Sequence, residues 1–287
     1  LKDIYPGPKG SDPYAFFNFG DRLFFSALDP VHGEELWRSN GDSVETVLVK
    51  DVYPGEGSST PYFTTGYDGY VVFAAEHPLY GRELWRTNGV GKNTMLVRDL
   101  LEDGQRNPSS SPQEITATSK LLFFTADDLE HGMELWCTDG TENGTRMVQD
   151  IFPGRASSDP RELTAIGDLV YFSADDATHG AELWVSDGTK RGTKMIHDIS
   201  IGSGSAPREL TVFGDRIIFV AYNDQRGDEL WIADQFAVGS LGDIRTGPEG
   251  SDPKGLTVWG DRVYFRANDG IHGEELWSTD GTPEGTQ

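Results

Sequence analysis

Residues Ser157 to Ile199 read SSDPRELTAIGDLVYFSADDATHGAELWVSDGTKRGTKMIHDI, and the way this stretch divides decides the fold. ELTAI runs into Gly167-Asp168, and LVYFSA into the loop DDATHG. AELWVS runs into DGTKRGT, and KMIHDI closes the stretch. Short runs rich in Val, Ile, Phe and Tyr, bounded by Gly, Asp, Pro and Ser, are strand signals. Nowhere does the chain keep a 3.6-residue apolar period over three turns, so the sequence predicts an all-β protein.

The unit repeats. ELW ends on Trp37, Trp85, Trp136, Trp184, Trp231 and Trp277, at separations of 48, 51, 48, 47 and 46 residues. That period suits propeller blades or solenoid units. The ends choose between them. The chain opens LKDIYPG, matching the fourth-strand segment MIHDIS with its loop, and ends ELWSTDGTPEGTQ, just short of that segment. From Trp37 to Asp51 is 14 residues; Trp277 lies 10 from the end, and Leu1-Lys2-Asp3 would add 3. A ring whose last blade takes its outer strand from the N-terminus leaves no sheet edge exposed. The expectation is one domain over residues 1–287: a six-bladed β-propeller of four-stranded blades, closed by the N-terminal segment. Because the first residue falls inside a repeat, a preceding segment is expected in a longer protein.

Composition bounds the function. The 47 acidic against 24 basic residues give a net charge of −23, which argues against nucleic acid, because phosphate binders need Lys/Arg patches. No long apolar run reads as a signal peptide or a transmembrane helix, so membrane insertion is not expected. The single Cys137 excludes an intrachain disulfide framework and a Cys-based zinc site. No G-x-S-x-G, P-loop, Rossmann fingerprint or H-E-x-x-H appears.

The motif ELW-x-x-DGT-x-x-GT, complete as ELWCTDGTENGT and ELWVSDGTKRGT, resembles the ELWxxDGT-repeat family of mostly secreted or cell-surface proteins. The resemblance spans the chain and implies a propeller-like fold and an extracellular or cell-surface setting. It carries over no catalytic residue. ELWRSNGDSVET, ELWRTNGVGKNT and ELWIADQFAVGS depart from it in the turn.

Six copies in one chain permit an internal comparison. Invariant positions serve what every blade needs: Glu-Leu-Trp, the Gly two residues before the Glu, Phe-x-Ala on the second strand, Ser-x-Pro between blades, and the last-strand Asp. Leu and Trp of ELW point to opposite faces, both of which neighbouring blades can cover. This reads as scaffold; the rival reading makes each Trp with its Glu an inter-blade sugar pocket, as in a lectin. Asp-Gly in DGT is a hairpin signal rather than a calcium loop, which needs more oxygen ligands. His32, His131, His179 and His272, with Asp29, Asp128, Asp176 and Asp269 nearby, are read as capping local backbone rather than binding metal. Arg226-Gly227-Asp228 occupies an ordinary blade slot and is not taken as an adhesion signal. Asn143-Gly144-Thr145 is a glycosylation sequon on a turn.

Symmetry breaks just after the loop Pro. The first position reads Tyr14, Tyr62, Gln113, Arg161, Arg208, Lys254, and the second Ala15, Phe63, Glu114, Glu162, Glu209, Gly255. A concave mouth with an aromatic and a charged side makes a ligand site, with Tyr14, Tyr62, Phe63, Arg161, Arg208 and Lys254 as candidate binding residues. Glu114, Glu162 and Glu209 offer an alternative: a hydrolase or lyase acid–base set, or a site for a hard cation such as Ca. The leading expectation is a binding or scaffold module for a protein or glycan ligand, leaning away from enzyme, with no cofactor identified.

Overall fold

The computed structural model describes residues 2–101 and 108–287; Leu1 and the side chain of Phe63 lie outside the described residues. Among them the structure is all-β, with a single 3₁₀ turn at Gly91–Asn93 and no α-helix. Six antiparallel sheets follow one another along the chain, each built from strands consecutive in sequence. The first is Tyr14–Phe19, Arg22–Asp29, Gly33–Ser39 and Val47–Leu48; the fourth is Arg161–Ile166, Leu169–Asp175, Ala181–Ser186 and Lys194–His197. Five sheets have four strands and the sixth has three: Lys254–Trp259, Arg262–Asn268 and Glu274–Thr279. Gln287 pairs with Ser278 through both backbone bonds, at 2.8 and 3.0 Å, and so begins a fourth strand there. The architecture is β-propeller-like, and the sheets are called blades one to six below.

The chain divides into two compact units. One holds blades one and two and the other blades four to six, while the strands of blade three are shared between them. Within the first unit, Phe24, Leu36 and Val49 of blade one pack on Val71, Phe73, Ala75 and Trp85 of blade two. Trp37, on the opposite face from Leu36, joins Phe25, Ala27 and Ile4. Within the second unit, Tyr171, Leu183 and Val185 of blade four meet Ile217, Phe219 and Ala221 of blade five. Ile218, Val220 and Leu230 of blade five then meet Val263, Phe265 and Ala267 of blade six. The core therefore lies between blades, and strand alternation sends Leu of ELW forward and Trp back.

The invariant Gly before each ELW has a steric cause. Gly33 has φ +68°, and a Cβ there would sit 1.9 Å from the carbonyl oxygen of Gly57 in the inter-blade loop. Neither the backbone conformation nor the space admits a side chain. Gly33→Ala is expected to lower stability by about 2 kcal/mol or more, measured by denaturant titration. Gly20→Ala, where φ is also positive but nothing lies within 4 Å, should cost only about 1 kcal/mol.

Candidate functional site

The ELW glutamates come first, because burial decides between pocket and scaffold. Glu35, Glu83, Glu134, Glu182 and Glu229 are all 0% exposed. Glu35 accepts the N–H groups of Val52 and Tyr53 at 3.2 and 2.9 Å and the Ser59 hydroxyl at 2.5 Å. Glu134 accepts from Ile151, Phe152 and Ser158 backbone N–H and, at 2.6 Å, from the Ser158 hydroxyl. Glu229 repeats this with Ile244, Arg245 and Ser251. The invariant Ser of Ser-x-Pro is thus the partner of the invariant Glu one blade earlier, and the carboxylate ties the connecting loop to its blade. Burial without a cation pushes these carboxyls up, to about 7 for Glu35 and about 8 for Glu83, against the lowering effect of the hydrogen bonds. Glu134, Glu182 and Glu229 are raised for the same reason. With Trp37, Trp85, Trp136 and Trp184 also buried, no sugar can reach a Trp–Glu pair in blades one to four, which corrects the lectin alternative as framed on those residues.

The histidine loops close on themselves. Asp29 accepts the N–H groups of Val31 and His32, and its second oxygen meets His32 Nδ1 at 2.8 Å. Asp176 with His179, and Asp269 with His272, repeat the arrangement. The His272 backbone N–H, then its imidazole, hold the Asp269 carboxyl down to about 2, and the bond to Asp176 raises the His179 imidazole. Asp228 of the Arg-Gly-Asp triplet pairs with Arg208 at 2.8 Å, and Arg226 bonds Ser240. The DGT turn is equally self-contained, with Thr141 donating through both backbone and hydroxyl to Asp139.

The positions where the repeats disagree sit on a bulge. Register slips between Arg161 and Thr164, and between Arg208 and Thr211, and the second residue of each pair of rim positions takes a left-handed backbone. Ala15, Glu114, Glu162 and Glu209 have φ between 52° and 61°. Such a bulge re-aims a side chain. It turns Glu162 toward the next blade, where it accepts Leu210 N–H at 3.2 Å, and Glu209 toward Gly255 and Leu256 N–H at 3.1 and 3.2 Å. Glu114 takes the same left-handed backbone at the matching position of blade three. Among the described residues no three His, Cys, Asp or Glu side chains gather as a metal-ligand set. The bulge went unread in the sequence; Gly255, filling the same slot in the sixth copy, was its one signal. Glu209→Ala is expected to cost about 1–2 kcal/mol by orphaning two strand N–H groups, with Glu209→Gln nearer neutral in the same unfolding assay.

The binding candidates separate by place. Tyr14 donates its hydroxyl to Glu34, and the Tyr62 ring carries the Arg82 guanidinium 4.7 Å from its centroid. The side chain of Phe63 lies outside the described residues. Arg161 pairs with Asp159, while Asp252 bridges Arg208 and Lys254. Between blades four and five, Arg161, Glu162 and Arg208 line a cleft of about 500 Å³ with Ser157, Ser173 and Asp175. Three of the residues singled out from sequence therefore share one opening. It presents cations, carboxylates and hydroxyls together.

No family model and no curated protein matches the chain. Among solved structures it is similar in fold to a prolyl endopeptidase, with a TM-score of 0.56 and 12% identity over 96% of this chain and 41% of that one. A puromycin hydrolase aligns at TM-score 0.49 and 14% identity over 95% of this chain and 52% of that one. The acylaminoacyl peptidase of Pyrococcus horikoshii aligns at 0.49 and 10% identity, covering 94% and 44%. The chain spans about half the length of these proteins or less, and the likeness is one of fold.

Proposed function

We propose that this chain is a ligand-binding propeller, its six blades closed into a ring by the N-terminal segment, that serves hydrolytic chemistry seated elsewhere. The observation that carries the binding role is the cleft of Arg161, Glu162 and Arg208. Its Arg161 and Arg208, each held by a neighbouring aspartate, line the opening for a polar protein or glycan ligand, while Glu162 and Glu209 are engaged by backbone N–H groups of the next blade. The hydrolase association is supported by the fold likeness to a prolyl endopeptidase of which this chain matches 41%. An extracellular or cell-surface setting follows from the repeat resemblance and is part of the same proposal.

The test compares the wild-type chain with an Arg161→Ala/Arg208→Ala variant on glycan and peptide arrays, after matching their unfolding midpoints. At least a tenfold loss of retention is expected, the loss of about 1.4 kcal/mol or more that removing charged hydrogen-bond donors brings. Equal binding by both proteins overturns the cleft as the site. Peptide or ester turnover by the chain alone, abolished in Glu162→Gln, overturns the binding role in favour of catalysis here.

A further inference from the structure

In four blades the residue just before ELW grips the rim of its own blade. Glu34 accepts the Tyr14 hydroxyl, and Arg82 lies over the Tyr62 ring. Asp228 holds Arg208 at 2.8 Å. Glu274 holds Arg266, the residue paired with Lys254, at 2.9 Å. Blade four puts Ala181 in that slot, although its rim residue is the cation Arg161. Arg208 meets a second carboxylate, Asp252 at 3.3 Å, from the Ser-x-Pro of the following blade. The residue placed likewise beyond Arg161 is Ala206. Blade five therefore brings two aspartates to its arginine where blade four brings two methyl groups. Both alanines line the cleft of about 500 Å³.

Register sets the face. Arg161 lies opposite Ser173, and Ser173 opposite Leu183, two residues beyond Ala181. Strand alternation puts all four on the face that packs against blade five. Ser173 lines the cleft and is 7% exposed, yet among the described residues its hydroxyl has no hydrogen-bond partner. Ser26, at the same register position of blade one, donates to the Pro61 carbonyl at 3.0 Å. Buried hydroxyls are paired as a rule, so an unpaired one facing a cleft points to a ligand. Arg161 gives one nitrogen to Asp159, and a guanidinium has five N–H donors. A charged donor and a neutral one thus face the cleft with capacity to spare.

We propose that the cleft takes the side-chain carboxylate of an acidic peptide, seated over Ala181 as the Asp228 carboxylate is seated in blade five. Arg161 donates to it through N–H and Ser173 through O–H. The inference rests on the binding reading above and names its ligand. The chain's own filler of this site in blade five is an aspartate, so the matching group is a carboxylate on a short apolar stem. Ala181, Ala206 and Pro207 offer the surface for that stem. Charge sets a limit. Asp159, Glu162 and Asp175 also line the cleft, engaged in turn by Arg161, the Leu210 N–H and the Ala177 N–H. Beside three carboxylates a dianion such as phosphate is repelled at close range. A single carboxylate held by charge-assisted hydrogen bonds suits the balance.

The experiment titrates the whole chain at low salt with a blocked Gly-Asp-Gly peptide, its Gly-Asn-Gly counterpart, inorganic phosphate and digalacturonate. The expected result is binding of the aspartyl peptide, with the asparaginyl one weaker by roughly tenfold or more. Ser173→Ala should weaken the aspartyl peptide about fivefold. Ala181→Asp supplies the carboxylate from the chain itself, as blade five does. It should abolish binding and leave the unfolding midpoint at or above that of the wild type. Equal binding of the two peptides, or undiminished binding by Ser173→Ala or by folded Ala181→Asp, overturns the carboxylate site. Digalacturonate binding without the peptide overturns the peptide in favour of an acidic glycan, and phosphate binding more tightly than the peptide overturns the charge limit. The binding reading itself is decided separately. If every probe fails while array retention is still lost in Arg161→Ala/Arg208→Ala, the carboxylate falls and the cleft stands; equal array retention removes both.

Discussion

Trp85→Ala is expected to lower the unfolding free energy by about 3–5 kcal/mol, the range for removing a buried aromatic from a close-packed core. The indole is 4% exposed and belongs to a cluster that draws on two blades, with Phe24, Leu36 and Val49 on one side and Phe73 and Ala75 on the other. The cavity left behind would lie between sheets, where neither can collapse to fill it without breaking its own ladder. A fall of the thermal midpoint on the order of 10 °C follows for a chain of this size. Trp85→Phe should recover most of the loss. Among the described residues the Trp85 indole nitrogen has no hydrogen-bond partner, so phenylalanine gives up ring area but no bond. At Trp184, whose indole donates to Ala174 at 3.0 Å, the same change to Phe should cost about 1 kcal/mol more. Calorimetric scans of the three variants beside the wild type check this directly.

The second large effect is on pH. Glu35 titrates at about 7 and Glu83 at about 8 in the folded chain, against an ordinary 4.5. Between those values the folded state holds protons that the unfolded chain has released. The stabilisation is therefore complete below about pH 4.5 and is lost as pH rises through 7 and 8. A shift of this size amounts to something on the order of 3 kcal/mol for Glu35 alone. The raised imidazoles of His179 and His272 act in the same sense. The lowered carboxyls of Asp29, Asp139 and Asp176 act oppositely, losing their contribution as pH falls below the ordinary Asp range. Stability should peak near pH 5 and decline toward pH 8.5. Glu83→Gln, which cannot ionise, should flatten the upper limb and narrow the gap between the two pH values. A wild-type curve that rises from pH 5 to 8 would show that the buried glutamates are held as carboxylates by their donors.

Much of this was legible in the sequence because each blade repeats its own instructions. Six ELW copies with alternating faces, Asp-Gly turns and a fixed period give the strands, their order and the inter-blade core, since burial is set by period-two patterning alone. The invariant Glu could be read as scaffold, but not which groups it holds. Its partner Ser lies 22 to 27 residues downstream in five blades, a distance only the folded loop makes short. The rim residues were found by asking where the copies disagree. The backbone N–H groups that Glu162 and Glu209 hold could not be read there, because a bulge with left-handed backbone leaves no mark on a strand pattern except an occasional Gly such as Gly255. Repeat alignment put Arg161 and Arg208 on one charged side of the mouth although 47 residues separate them, but the cleft they share comes only from the stacking of two blades.

The most direct test of the claim that ELW is a lock and not a site is a double-mutant cycle on Glu134 and Ser158, measured by denaturant unfolding at pH 6. Glu134→Ala, Ser158→Ala and the pair should show a coupling of about 1–3 kcal/mol, as groups sharing a buried hydrogen bond do. Additivity to within about 0.5 kcal/mol would mean that the carboxylate and the hydroxyl do not stabilise one another, and the repeated glutamate would have to be explained by something other than tying each loop to its blade.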